Sequence, residues 1–203
     1  MIGLPGSRVV YAAAKRALDV AVSLVALVLL SPVLVAVAVA VMVDSPGPIL
    51  YGSERTGRDG RRFRMWKFRT MRADADAMKD ELRHLSVVPW PDFKVLNDPR
   101  VTRVGRVLRR TSLDELPQLW NVLRGDMSLV GPRPTSFSHL TYQTWHTARL
   151  DVRPGLTGPW QVSAARGSCD MDQRLRMDLQ YLRQRSMTLD LRLLLQTAAA
   201  VVR

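Results

Sequence analysis

The chain carries a single cysteine, Cys169, among its 203 residues. One thiol closes no intrachain disulfide and builds no cysteine-based metal site. Histidine is almost as scarce: His84, His139 and His146 lie scattered, with no metal-ligand spacing. Acid is short relative to base, with 18 Asp+Glu against 30 Lys+Arg and a formal net charge of +12. Such an excess points to an anionic partner: a nucleotide, a phospholipid surface or nucleic acid. Internal repeats and low-complexity linkers are missing too, so the length reads as one domain with chain enough for a core.

Charge itself disappears from Val20 to Val43, 24 residues in a row. At 1.5 Å per residue that run covers about 36 Å, enough for a bilayer core of roughly 30 Å. A plain transmembrane helix is the simplest reading, and two features argue against it. Ser31-Pro32 falls in the middle, where proline removes a helix bond. Both flanks are basic, with Arg8, Lys15 and Arg16 before the run and an arginine-rich body after it, so a true span strands one basic flank outside. A helix that dips in, breaks and returns keeps both flanks on one side, with the Ser31 hydroxyl a candidate partner for freed backbone groups. The run is too long for the apolar region of a cleavable signal. Asp19, just before it, is expected to pair with Arg16 or a later basic residue.

Asp44-Ser45-Pro46-Gly47-Pro48 closes the apolar element. Ile49-Leu50-Tyr51 and Arg62 to Met71 read as two strands joined through the turn Thr56 to Gly60, with the alternation slipping at Trp66. Residues 72 to 88 read as an exposed mixed-charge helix, and Arg106 to Arg110 as a second helix. Residues 170 to 185 put Leu175, Leu179 and Leu182 on one side of a helix. Leu189 to Val202 forms a last apolar helix, interfacial or part of the core.

The segment Arg109 to Pro134 places two adjacent carboxylates, Asp114 and Glu115, in this basic chain. Ser112 and Glu115 have capping-box spacing, so a helix is expected from Leu113, or from Leu116 given Pro117. Either start puts both carboxylates at a helix N-terminus, which favours their ionised form. A turn at Arg124-Gly125-Asp126 follows, then Gly131-Pro132-Arg133-Pro134. The flanking prolines restrict Arg133, whose guanidinium matches phosphate oxygens in pairs. Arg153-Pro154-Gly155 repeats that device.

The run SLDELPQLWNVLRGDMSLVGPRP resembles the core signature of the bacterial sugar transferases, the monotopic polyprenyl-phosphate phosphoglycosyl transferases. The likeness extends in order over nearly the whole chain: Lys15-Arg16 and Asp19, Ser31-Pro32, Lys67-Phe68-Arg69-Thr70-Met71, Arg153 to Gly158, and Asp178, Tyr181, Ser186 and Asp190. The resemblance implies an α+β, mostly helical fold. Its parts are a re-entrant membrane helix-break-helix, a small β-hairpin, helices around the active site and an interfacial C-terminal helix. Residues 1–46 then form the lead-in and membrane element, and 47–203 a catalytic domain on the cytoplasmic face of the bacterial cell membrane.

The resemblance further implies transfer of a sugar-1-phosphate from a UDP-sugar to polyprenyl phosphate, with UMP released. Asp114 matches the nucleophile, Glu115 its partner, and Mg²⁺ would be held by both. Arg133, Arg153, Lys67 and Arg69 are the expected phosphate and nucleotide contacts. Arg166 is offset by one position from the family pattern. Trp160 to Ser163 is expected to be a strand or turn, and 84 to 96 and 163 to 172 to shape sugar choice. Membrane lipids are the third partner, and the homo-oligomeric state is open. Nucleic acid is set aside, because an ionised acid pair repels phosphate unless a metal intervenes.

Overall fold

A computed structural model describes residues 5–87, 93, 95–136, 144–163 and 171–202. It is mostly helical with a small amount of sheet, as expected. Contacts divide the chain into two compact units. The first holds residues 1–30, 52–66 and 117–203, and the second holds 31–51 and 67–116. This division by packing cuts inside the apolar run, whereas the division at residue 46 follows composition.

The apolar run forms α1 (Pro5–Leu29) and α2 (Ser31–Asp44), broken at Leu30. Ser31 and Pro32 open α2, where proline's missing N–H costs no helix bond. Among the described residues no single helix is long and apolar enough to cross a membrane. The bent pair meets that test together, by length and composition only. β1 (Leu50–Thr56) and β2 (Arg62–Phe68) form an antiparallel hairpin across the turn Arg58–Gly60. Met65 and Phe68, three apart, are both buried, which is the slip in alternation.

In the first unit, β3 (Ser128–Val130) pairs in parallel with β4 (Gly155–Thr157), Ser128 opposite Gly155 and Val130 opposite Thr157. This pairing was not anticipated from the sequence. It joins the Gly131-Pro132-Arg133-Pro134 corner to the Arg153-Pro154-Gly155 loop. A methyl group on Gly155 would overlap the Gly131 backbone nitrogen, so only glycine allows the approach. Helices α4 (Gln118–Arg124), α5 (Pro159–Val162), α6 (Met171–Gln184) and α7 (Met187–Val202) complete the unit. Trp160 to Ser163 is thus mainly a short helix, started by Pro159 after an extended Gly158, and not a strand. Val122, Met127, Val130 and Leu175 form its fully buried interior.

Polar side chains lock α1 onto this unit. Asp19 accepts from the Leu129 N–H at 2.9 Å and the Ser128 hydroxyl at 3.1 Å, in place of Arg16 or a later basic residue. Arg16 instead donates to the Val122 and Leu123 carbonyls at 2.6 and 2.7 Å, capping the C-terminal end of α4. Asp190 accepts from Lys15 (2.8 Å), Tyr11 (2.8 Å) and Tyr181 (2.7 Å). Asp178 pairs with Arg149 at 2.8 Å, both nearly inaccessible. Meanwhile α1 exposes Val22, Leu24, Val25, Val28 and Leu29. The polar face is inward and the apolar face outward, the reverse of a helix packed for water.

In the second unit, Val37 and Val41 of α2 pack with Phe68 and with Leu108 of α3 (Arg103–Thr111). Thr102 caps α3 by accepting from the Gly105 N–H at 3.0 Å, and Asp44 accepts from the Val104 N–H at 3.0 Å. Residues 73–82 are successive turns, and Arg83–Leu85 a single 3-10 turn, where a helix was expected. The bonds there are mostly to the third residue back, as in Ala77 to Asp74 and Lys79 to Asp76. Asp74, Asp76 and Asp80 favour such local turns over a continuous helix. Asp98 forms a two-point pair with the buried Arg100 at 2.9 and 2.7 Å.

Candidate active site

The carboxylate pair sits on a 3-10 turn, Leu113–Glu115, in the second unit. The capping box does not form. Ser112 ends α3 in the left-handed conformation, φ +59°, and makes no side-chain cap bond. Its carbonyl accepts from the Glu115 N–H at 3.1 Å, and Leu113's from the Leu116 N–H at 3.3 Å. Pro117 delays the α-helix to Gln118. Asp114 and Glu115 therefore occupy a tight turn between two helices, wound more tightly than an α-helix. The reversal at Ser112 needs a backbone conformation that costs a non-glycine residue about 1–2 kcal/mol.

Lys67, near the end of β2, reaches this turn. Its Nζ lies 2.7 Å from Glu115 Oε1 and 3.8 Å from Asp114 Oδ2. The side chains of Lys67 and Glu115 are each 20% accessible and that of Asp114 is 11%, so the cluster is sheltered yet open to a reactant. Arg109 adds a second cation. Burial pulls its pKa down while the Asp114 charge pushes it back up, and its Nε donates to Thr70 Oγ1 at 2.9 Å.

The other predicted contacts divide between the two units. Arg69 belongs to the same unit, but its guanidinium donates to the Ser45 carbonyl at 2.6 Å and to the Pro46 carbonyl, holding the turn after α2. Arg133 belongs to the first unit, with its guanidinium 5.9 Å from the Trp160 ring centre; Arg174 stands 4.9 Å from the same ring. Arg153, also in the first unit, donates to the Gly125 carbonyl at 2.8 Å and lines a basic recess with Arg58 and Arg185. Ser31 and Pro32 mark the helix break. Arg166 and most of the two loops read as specificity segments lie outside the described residues.

Sequence reasoning missed the recess members Arg58 and Arg185 and the hub residue Asn121. Asn121 is fully buried. It accepts from the Trp66 N–H at 3.0 Å and donates to the Arg64 carbonyl at 2.8 Å, fastening α4 to the hairpin. No periodicity marks any of the three. They gain their meaning from neighbours far away in sequence.

Residues 10–203 match the family described as bacterial sugar transferase. The chain belongs to that family. Over 191 residues it is 41% identical to a UDP-glucose:undecaprenyl-phosphate glucose-1-phosphate transferase of Escherichia coli K12, covering 90% of this chain and 39% of that one. It is 42% identical over 194 residues to an undecaprenyl-phosphate galactose phosphotransferase of Salmonella typhimurium, covering 93% and 40%. It is also 41% identical over 193 residues to exopolysaccharide production protein ExoY of Rhizobium meliloti, covering 93% and 85%. The chain thus spans about two fifths of the length of several curated relatives it matches, and most of ExoY.

Two neighbouring carboxylates among cations form an oxygen-only donor set of the type Mg²⁺ accepts, with substrate oxygens and water filling the remaining positions. Among the described residues no group of three His, Cys, Asp or Glu gathers, and Asp114 and Glu115 are the two carboxylates this turn offers.

Proposed function

We propose that this chain is a membrane phosphoglycosyl transferase that moves a sugar-1-phosphate from a UDP-sugar to polyprenyl phosphate and releases UMP. The observation that carries the reading is the Asp114-Glu115 turn with Lys67 between its carboxylates. An acid pair in water-exposed surroundings repels a diphosphate. Here the Lys67 and Arg109 cations offset that repulsion, and the turn offers Asp114 as a nucleophile.

In the first half-reaction an Asp114 oxygen attacks the phosphorus bonded to the sugar. The phosphoanhydride bond to UMP breaks, and UMP departs with the bonding electrons. An oxygen of polyprenyl phosphate then attacks the same phosphorus, and Asp114 leaves as a carboxylate. The product is a polyprenyl diphosphate sugar. Splitting the transfer in two lets the soluble donor leave before the lipid acceptor reacts. Glu115 holds Lys67 in position beside the attacking carboxylate. Bound Mg²⁺ would supply charge neutralisation at the diphosphate oxygens, with Asp114 and Glu115 as its protein ligands. Arg133 and Arg153 are assigned to phosphate or nucleotide contacts, and Arg69 is kept as a positioning residue that fixes the turn after α2.

The outward apolar faces of α1 and α2 support a monotopic, re-entrant element in the bacterial cell membrane, with the reaction on the cytoplasmic side. α7 fits an interfacial helix, since it buries Asp190 and Leu193 and exposes Leu191 and Leu195. The relatives' names favour glucose or galactose as the sugar. Purified chain, undecaprenyl phosphate and a panel of UDP-sugars test the reading through UMP release. Release that requires both the lipid phosphate and one UDP-hexose supports it; no release with any donor overturns it. Cysteines placed at residues 8 and 60 should be labelled from the same side of sealed vesicles.

A further inference from the structure

The first unit contains a recess of about 190 Å³ lined by the opening turns of α1 and by Arg58, Arg153 and Arg185. We infer that it holds the phosphate of a membrane lipid, an inference that rests on the membrane reading of α1 and α2.

Charge sets the ligand's sign. Five basic side chains line the recess against two acids, Asp19 and Asp151. Asp19 is held by Ser128 and the Leu129 amide. Lys15 is bound to Asp190, and Arg16 to the end of α4. Arg58 and Arg185 are the cations left to meet a ligand, together with the terminal nitrogens of Arg153, whose Nε is bound to the Gly125 carbonyl. The Arg58 pair with Asp59 is long, 3.4 Å, and exposed. No salt bridge engages Arg153 or Arg185 among the described residues.

Size and position narrow the class. The volume is below the ~300–1,000 Å³ of pockets that enclose drug-sized molecules, so a nucleotide-sugar does not fit inside and a phosphate group does. The wall contributed by α1 runs from Tyr11 to Asp19. The following turns of the same helix expose Val22, Val25, Val28 and Leu29. A molecule with an anionic head and an apolar tail meets both surfaces; a soluble anion meets only the first. The wall is also stiff, because Tyr11, Lys15 and Tyr181 are all tied to Asp190.

The test is native mass spectrometry of the full chain in detergent, with added undecaprenyl phosphate, phosphatidylglycerol, diacylglycerol or inorganic phosphate. The wild type should retain one phosphate-bearing lipid. Replacing both exposed cations, Arg58→Gln with Arg185→Gln, should weaken retention about thirtyfold, and the corresponding double Lys variant should recover most of it. The single Gln variants, each expected to lose about fivefold, serve if the double variant does not fold. A preference for undecaprenyl phosphate marks the recess as the acceptor's anchor, and a preference for phosphatidylglycerol marks a bulk-lipid site; either supports the inference. Wild-type retention by the double Gln variant, equal retention of diacylglycerol, or equally tight binding of inorganic phosphate would overturn it. Asp114→Asn should retain the lipid like the wild type, so failure of the transferase reading and failure of this one are separable.

Discussion

Two acid–base groupings in this molecule use the same chemistry for opposite ends. Around Asp178, the carboxylate and the Arg149 guanidinium are 1% and 5% accessible. Around Asp114 and Glu115, the Lys67 cluster keeps 11–20% of each side chain accessible. The first is sealed, so neither charge is open to a reactant. The second is sheltered without being sealed, so its charges remain available to a reactant. Burial, not residue type, separates a structural ion pair from a chemical one.

The contrast breaks most visibly when one partner of the sealed pair is removed. Arg149→Ala leaves the Asp178 charge buried alone and should cost about 3–5 kcal/mol of unfolding free energy, read from urea denaturation in detergent. Lys67→Met should show the opposite pattern. Its effect on stability stays within about 1 kcal/mol, because the pair is partly exposed. Turnover, followed as UMP release, should fall on the order of a hundredfold, because a cation facing the developing charge is gone. If both variants lose stability equally and neither loses turnover selectively, the distinction is wrong.

One side of this contrast drew attention in the sequence and the other did not. The Asp114-Glu115 pair, Lys67 and the broken apolar run stood out as motifs, because each is local. Four things were not legible. The capping-box spacing of Ser112 and Glu115 pointed to an α-helix, but Pro117 and the left-handed Ser112 produce a 3-10 turn. The β3–β4 pair was hidden because each strand is three residues long and gains its partner across some 25 residues. Arg69 looked like a phosphate ligand close to Lys67, but it follows the last residue of β2, where strand alternation no longer sets its direction, and its guanidinium reaches the turn after α2. Asp178 and Asp190 entered only as family positions. Their roles as buried anchors depend on Arg149, Tyr11 and Lys15, brought in by tertiary packing.

pH sharpens the comparison. Burial pushes the Asp178 carboxyl up to about 6, against the opposing pull of Arg149. Its unfolded value is about 3.9, so between those values the native state holds a proton that the unfolded chain releases. This residue's contribution to stability is therefore greatest below about pH 4 and declines as pH rises through 6, by at most about 1.4 kcal/mol per pH unit. Asp178→Asn should flatten that slope, measured as thermal midpoint against pH. A slope unchanged by the substitution would assign it to another group. The smallest effect is expected at Ser112. Glycine there relieves the left-handed conformation and should raise stability by up to about 1 kcal/mol, whereas Ser112→Val should lower it.

The most direct test of the account is intact-protein mass spectrometry after mixing the chain with its UDP-sugar donor in the absence of lipid acceptor. The wild type should gain the mass of one sugar phosphate, releasing UMP in equal amount, and lose that mass when polyprenyl phosphate is added. Asp114→Asn should gain nothing. An adduct of the same size on Asp114→Asn, or full turnover by that variant, would contradict the assignment of Asp114 as the group that carries the phosphosugar.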